Sequence, residues 1–142
     1  MNFDSSYDIG RNAEIQVCDA LLKLGWKTSL SPGSKGAADV QAEKPEARWC
    51  IQVKYRQESS GSIIPLSEEM RLIAHSKQCG CTPIAAIVTA FPGGLLLNAS
   101  NIRDRRNPFV IRNNCGEFYA IEVDEGTALF FYDLLNGRKI EP

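Results

Sequence analysis

The sequence predicts an α/β domain built on one mixed central sheet, and three observations lead there. Apolar residues recur at helical spacing near the N-terminus and again after residue 66. Strand-like apolar runs fall between and after those stretches, and loops dense in Gly, Ser and Pro separate the pieces. The resulting order is α-β-β-β-α-β followed by a C-terminal β-hairpin addition. At 142 residues the chain is long enough for one domain with a real core.

From Tyr7 to Leu24, the residues Ile9, Ala13, Val17, Ala20, Leu21 and Leu24 keep helical spacing, and Gly25 is placed to stop the helix. Trp26–Leu30 reads as a short strand and "SPGSKGA" (Ser31–Ala37) as a loop. "ADVQAE" and "RWCIQVKYR" form two strands around the turn-like "KPEA", and "QESSGS" (Gln57–Ser62) is a polar break. A second helix is expected to start with Ser67 as N-cap and Glu68 and Glu69 in its first turn. It runs through Met70, Ile73 and Ala74 and stops near Gly80. "TPIAAIVTA" is a buried strand by composition, and "FPGG" turns it into "LLLNA". Strands near Phe109–Arg112 and Phe118–Val123 flank the turn "NNCG", and the tail "TALFFYDLLNGRK" is read as a packed helix.

Composition narrows the class. Hydrophobic residues make up 44% and charged residues 23%, as in ordinary globular domains. The longest apolar runs are too short to span a bilayer, and "MNFDSSYDIG" lacks the basic and apolar regions of an export signal. A cytoplasmic protein is expected. The net charge of −1 argues against a protein that depends on nonspecific attraction to phosphates, so any positive charge for nucleic acid has to be local. Of the five cysteines, Cys18 and Cys50 lie in apolar patterns and read as small core residues. Cys79-Gly-Cys81 with His75 lacks the second ligand pair of a usual zinc site.

The chemistry is concentrated in "GAADVQAEKPEARWCIQVKYR" (Gly36–Arg56). Strand side chains alternate faces, so Trp49, Ile51, Val53 and Tyr55 share one face and Cys50, Gln52, Lys54 and Arg56 the other. Folding the hairpin on a four-residue loop, Lys44–Ala47, sets Glu43 against Arg48. Asp39 then falls opposite Gln52, with Cβ atoms roughly 5 Å apart. A slip by one residue would scatter this cluster. Glu14, at the edge of the first helix's buried face, is a fourth member. An acid, an amide oxygen, a lysine and a second acid suit a hard cation such as Mg²⁺, which takes oxygen ligands and keeps several waters. Such a cation polarises a phosphoryl oxygen, and a nearby lysine steadies developing charge. The alternative is a solvent-facing hairpin with ordinary polar residues.

The order of these pieces resembles the PD-(D/E)XK nuclease superfamily. The carriers are Glu14 in "GRNAEIQ", Asp39 in "GAADV", and Gln52 with Lys54 in "CIQVKYR", over roughly Gly10 to Ala90. Two positions depart from the pattern. Ala38 replaces the proline, and Gln52 replaces an acid, which removes one negative charge and weakens the hold on a metal. Branches of that superfamily use glutamine there. The resemblance implies a restriction-endonuclease-like core and a phosphodiester hydrolase dependent on Mg²⁺, with Mn²⁺ as substitute. It implies metal contacts from Asp39, Gln52, the Val53 carbonyl and Glu14, with Lys54 assisting the attacking water. Ser34 and Lys35 in the preceding loop are candidate contacts to the scissile phosphate.

Within one 1–142 domain, residues 1–90 are expected to form the catalytic core and 91–142 additions for DNA contact and oligomerisation. "NIRDRRNPFVIRNN" brings Arg103, Arg105, Arg106 and Arg112 together with asparagines beside an expected β-ribbon. Such a ribbon fits the major groove, where Arg reads guanine and Asn reads adenine. On this basis the chain resembles an intron-encoded homing endonuclease cutting double-stranded DNA. A Holliday junction resolvase and an inactive binding module are the alternatives. Cutting both strands calls for two sites, hence a homodimer or larger, with "ALFFYDLL" as a candidate contact that core packing explains equally well.

Overall fold

The computed structural model describes residues 6–31, 36–56, 64–90, 110–113, 116–119, 121–124 and 127–142. Among these residues, two helices, α1 (Ser6–Lys23) and α2 (Leu66–Cys79), accompany nine strands. These are β1 (Lys27–Leu30), β2 (Val40–Lys44), β3 (Ala47–Arg56), β4 (Thr82–Ala90), β5 (Val110–Asn113), β6 (Gly116–Tyr119), β7 (Ile121–Asp124), β8 (Thr127–Asp133) and β9 (Arg138–Ile140). Seven of them form one sheet in the order β1-β2-β3-β4-β8-β7, with β9 also paired to β8; β5 and β6 form a separate hairpin. The β3–β4 pair is parallel and joined through α2, while the other pairs are antiparallel, so the sheet is mixed as expected.

Alternation along β3 separates two cores. Trp49, Ile51 and Val53 pack with Ala13, Val17, Cys18, Ala20 and Leu21 of α1, and with Val40, Ile84, Val88, Leu129 and Phe131. Cys50, one residue out of phase, packs with Ala38 and with Leu72 of α2. The helices therefore cover opposite faces of the sheet. Trp49 anchors the α1 side, with its ring centroid 4.5 Å from that of Trp26 and 5.4 Å from that of Phe131.

The β2–β3 register is the one read from the sequence, with Glu43 opposite Arg48. Pairing continues to Lys44 and Ala47, so the expected four-residue loop contracts to a turn at Pro45 and Glu46.

Several expectations need correction. The tail is a strand: Thr127–Asp133 pairs antiparallel with β4 along seven positions. β-branched and aromatic residues next to the open edge of β4 prefer a ladder to a helix turn. Ala128, Leu129, Phe131 and Asp133 are buried inside this chain, so core packing accounts for these positions of "ALFFYDLL", while Leu135 is 61% exposed. Helix α2 begins two residues early, with Pro65 and not Ser67 at the N-cap position and no side-chain capping bond. It buries Leu72 and Ser76, while Met70 is 62% exposed. Its stop is as expected, with Gly80 in the left-handed region at φ 68°. Cys50 is buried, but it is bonded to Cys81 in a disulfide with Cα atoms 6.0 Å apart. Cys79 lies beside His75, Sγ to Nε2 3.5 Å.

Candidate active site

The site forms where β2 leaves β3. The ladder between them ends at Val40 and Ile51, and one further bond runs from the Asp39 N–H to the Ile51 carbonyl at 2.8 Å. The Asp39 carbonyl accepts the Ser31 N–H at 2.9 Å, so the backbone of Asp39 is held from both neighbouring segments. Residues two apart on a strand point their backbone groups to the same edge. Val53 therefore faces the gap that β2 has vacated, and its N–H would be left without a ladder partner. Asp39 supplies one: its Oδ2 accepts the Val53 N–H at 2.8 Å. The same geometry turns the Val53 carbonyl to that edge.

Gln52 and Lys54 project to the α2 side. Glu14 reaches the same place from α1, across the opening, where Arg11 pairs with it at 2.9 Å and also donates to the Ser31 carbonyl at 3.2 Å. A cleft of about 260 Å³ is lined by Glu14, Gly36, Asp39, Gln52, Val53, Lys54, Glu68 and Arg71. The four side chains singled out from the sequence thus line one cavity, together with Val53.

The carboxylates sit in each other's field. Burial pushes the Asp39 carboxyl above its ordinary value, opposed by the Val53 N–H and the Lys54 charge, and assisted by Glu68. Burial also raises Glu14, with the Asp39 charge adding to the shift and Arg11 countering it. Such crowding of negative charge is relieved by a bound cation.

Two residues went unnoticed in the sequence. Glu68 read as a first-turn helix acid, yet it binds Lys54 Nζ through Oε1 at 2.8 Å. Its Oε2 is buried without a hydrogen-bond partner among the described residues. Arg71, three residues on, lines the same cleft. The legible signal was the i, i+3 pair of opposite charges at the start of a helix that follows the Q-x-K strand.

Among the described residues, no three His, Cys, Asp or Glu side chains converge into a ready metal cluster. The donors fit a hard divalent ion nonetheless: a half-buried carboxylate, an amide oxygen, a backbone carbonyl directed to the same edge, and an orphaned carboxylate oxygen. Mg²⁺ is commonly held by one or two carboxylates and its own waters. Asp39, Gln52 and Val53 would hold it, with Glu14 nearby. When bound, the ion would supply Lewis-acid polarisation of a phosphoryl oxygen and a more acidic water.

Ser34, Lys35, Arg103, Arg105 and Arg106 lie outside the described residues. Arg112 lies on β5, whose strand replaces the expected Phe109–Arg112 nearly in place.

No protein-family model and no curated protein matches the sequence. Among solved structures, the chain is similar to Archaeoglobus fulgidus Hjc, a Holliday junction resolvase from an archaeal hyperthermophile. The TM-score is 0.56 at 15% identity, covering 93% of this chain and 88% of that one. The fold is therefore the restriction-endonuclease-like α/β fold expected from the sequence. The homing-endonuclease part of the resemblance receives no support from this neighbour. No helix among the described residues is long and apolar enough to cross a membrane.

Proposed function

We propose that this chain is a divalent-cation-dependent DNA endonuclease and that its substrate is a four-way junction. The observation that carries the hydrolase reading is the convergence of Glu14, Asp39, Gln52, Val53 and Lys54 on one cleft at the edge vacated by β2. Asp39 fixes the Val53 backbone and presents a carboxylate, Gln52 presents a neutral oxygen, and Lys54 places a positive charge beside the position of a phosphate. The junction reading is supported by similarity to a resolvase over nearly the whole of both chains. Because both strands must be cut, the working form is a homodimer or a larger homo-oligomer.

A second reading, sequence-specific cutting of linear duplex, is favoured by the charge pattern. The chain carries a net charge of −1, and Arg103, Arg105, Arg106 and Arg112 are concentrated in one stretch of the sequence. Labelled four-way junctions and a random duplex pool, each with Mg²⁺ or Mn²⁺, separate the two. Junction cutting that disappears in Asp39→Ala supports the first reading, and cutting at one duplex sequence supports the second. No cation-dependent cleavage of either substrate would make the chain a nuclease-fold binding module, with Gln52 as the reason.

A further inference from the structure

Gln52 leaves the cleft one negative charge short of the acidic pair that a strand-borne D/E-x-K would offer. The remaining acids are not equally available. Glu14 is paired with Arg11 at 2.9 Å, and Asp39 already accepts the Val53 N–H. Glu68 stands apart, with Oε1 on Lys54 and Oε2 buried and unpartnered among the described residues. An unsatisfied buried oxygen costs about 1–3 kcal/mol, more when charged, and so calls for an explanation. A simple surface ion pair gives none, since such pairs contribute little and would leave both carboxylate oxygens free to reach water.

Resting on the reading of this cleft as a cation-dependent site, we infer that Glu68 replaces the acid missing at position 52. Its Oε2 faces the cation or a water bound to it, and its Oε1 holds Lys54 over the same cleft. The acid has moved from strand β3 to the first turn of α2, the element that crosses over to β4. Glu68 is thereby a positioning residue for Lys54 and a source of charge for the ion.

The test is calorimetric titration of Mn²⁺ into the full chain without DNA, which reads binding and not turnover. Glu68→Gln should weaken Mn²⁺ affinity by roughly tenfold or more. Gln52→Glu added to Glu68→Gln should restore most of that loss. Placed in the wild-type chain, Gln52→Glu should strengthen binding much less, because Glu68 already fills the role. Wild-type affinity in Glu68→Gln would overturn the proposal. So would an equal gain from Gln52→Glu in both backgrounds; if Glu68→Gln folds poorly, a gain of roughly tenfold or more from Gln52→Glu in the wild-type chain alone would overturn it as well, because Glu68 should already fill the role. If Asp39→Ala binds Mn²⁺ as wild type does, the cation reading itself fails, and this proposal falls with it.

Discussion

Two acids at strand ends, the half-buried Asp39 before β2 and the buried Asp133 at the end of β8, do different work. Asp133 is 5% exposed, and its carboxylate is used up by its own turn. Oδ1 accepts the N–H groups of Leu135 and Asn136 at 2.9 and 3.2 Å, and Oδ2 accepts the Asn136 side-chain amide at 2.7 Å. Gly137, at φ 66°, closes that turn with its N–H on the Asp133 carbonyl. Asp39 accepts one backbone N–H and otherwise opens onto a cleft shared with Glu14 and Glu68. A buried acid whose acceptor positions are filled locally holds the fold together. One held by a single bond, among other acids, is set up for an incoming ligand.

The largest effect expected is on Asp39. Asp39→Ala should abolish cleavage while DNA binding, measured by gel shift, stays largely intact; parallel loss of both would give Asp39 the structural role assigned to Asp133. Lys54→Ala should lower the cleavage rate about a hundredfold, near 2.7 kcal/mol of barrier, with a smaller change in binding. Near-normal rates would remove Lys54 from the site. Asp133→Ala should behave oppositely. It leaves two backbone N–H groups without their acceptor and should cost about 1–3 kcal/mol in denaturant unfolding. Activity per folded molecule should hold, and a cleavage defect without a stability defect would erase the contrast.

The legible part of the site was local and periodic. The alternation of "RWCIQVKYR" separated Trp49, Ile51 and Val53 from Gln52 and Lys54, and the Glu43–Arg48 register brought Asp39 to them. What stayed hidden depended on packing across distance. Glu68 enters the cleft because α2 starts after Pro65 and lies against β3, a placement that no spacing rule encodes. The tail was misread for a related reason. "TALFFYDLL" is apolar under either periodicity, and only the free edge of β4, far earlier in the chain, decides that it is a strand. The Cys50–Cys81 bridge likewise joins β3 to the start of β4, whose neighbouring positions follow from the parallel register and not from cysteine spacing.

The smallest effect expected sharpens the same contrast through pH. Burial raises the Asp39 carboxyl in the folded state above its unfolded value, so the folded protein holds that proton more tightly. The stability this contributes is fully present below the ordinary aspartate pKa and is lost as pH rises through the folded value. At neutral pH, without divalent ions, the wild type therefore carries a penalty that Asp39→Asn lacks, while asparagine's oxygen can still accept the Val53 N–H. Asp39→Asn should be the more stable protein at pH 7 in chelator, by less than about 1 kcal/mol because the carboxylate is partly exposed and screened. The difference should shrink as pH is lowered toward the ordinary aspartate range. Mn²⁺ should reverse the order, since it stabilises only the protein that keeps the charge. Melting curves of both proteins across pH, with chelator and with Mn²⁺, measure all three. A pH-independent difference would mean that burial does not strain Asp39, and the cleft would then be an ordinary polar surface like the β8–β9 turn.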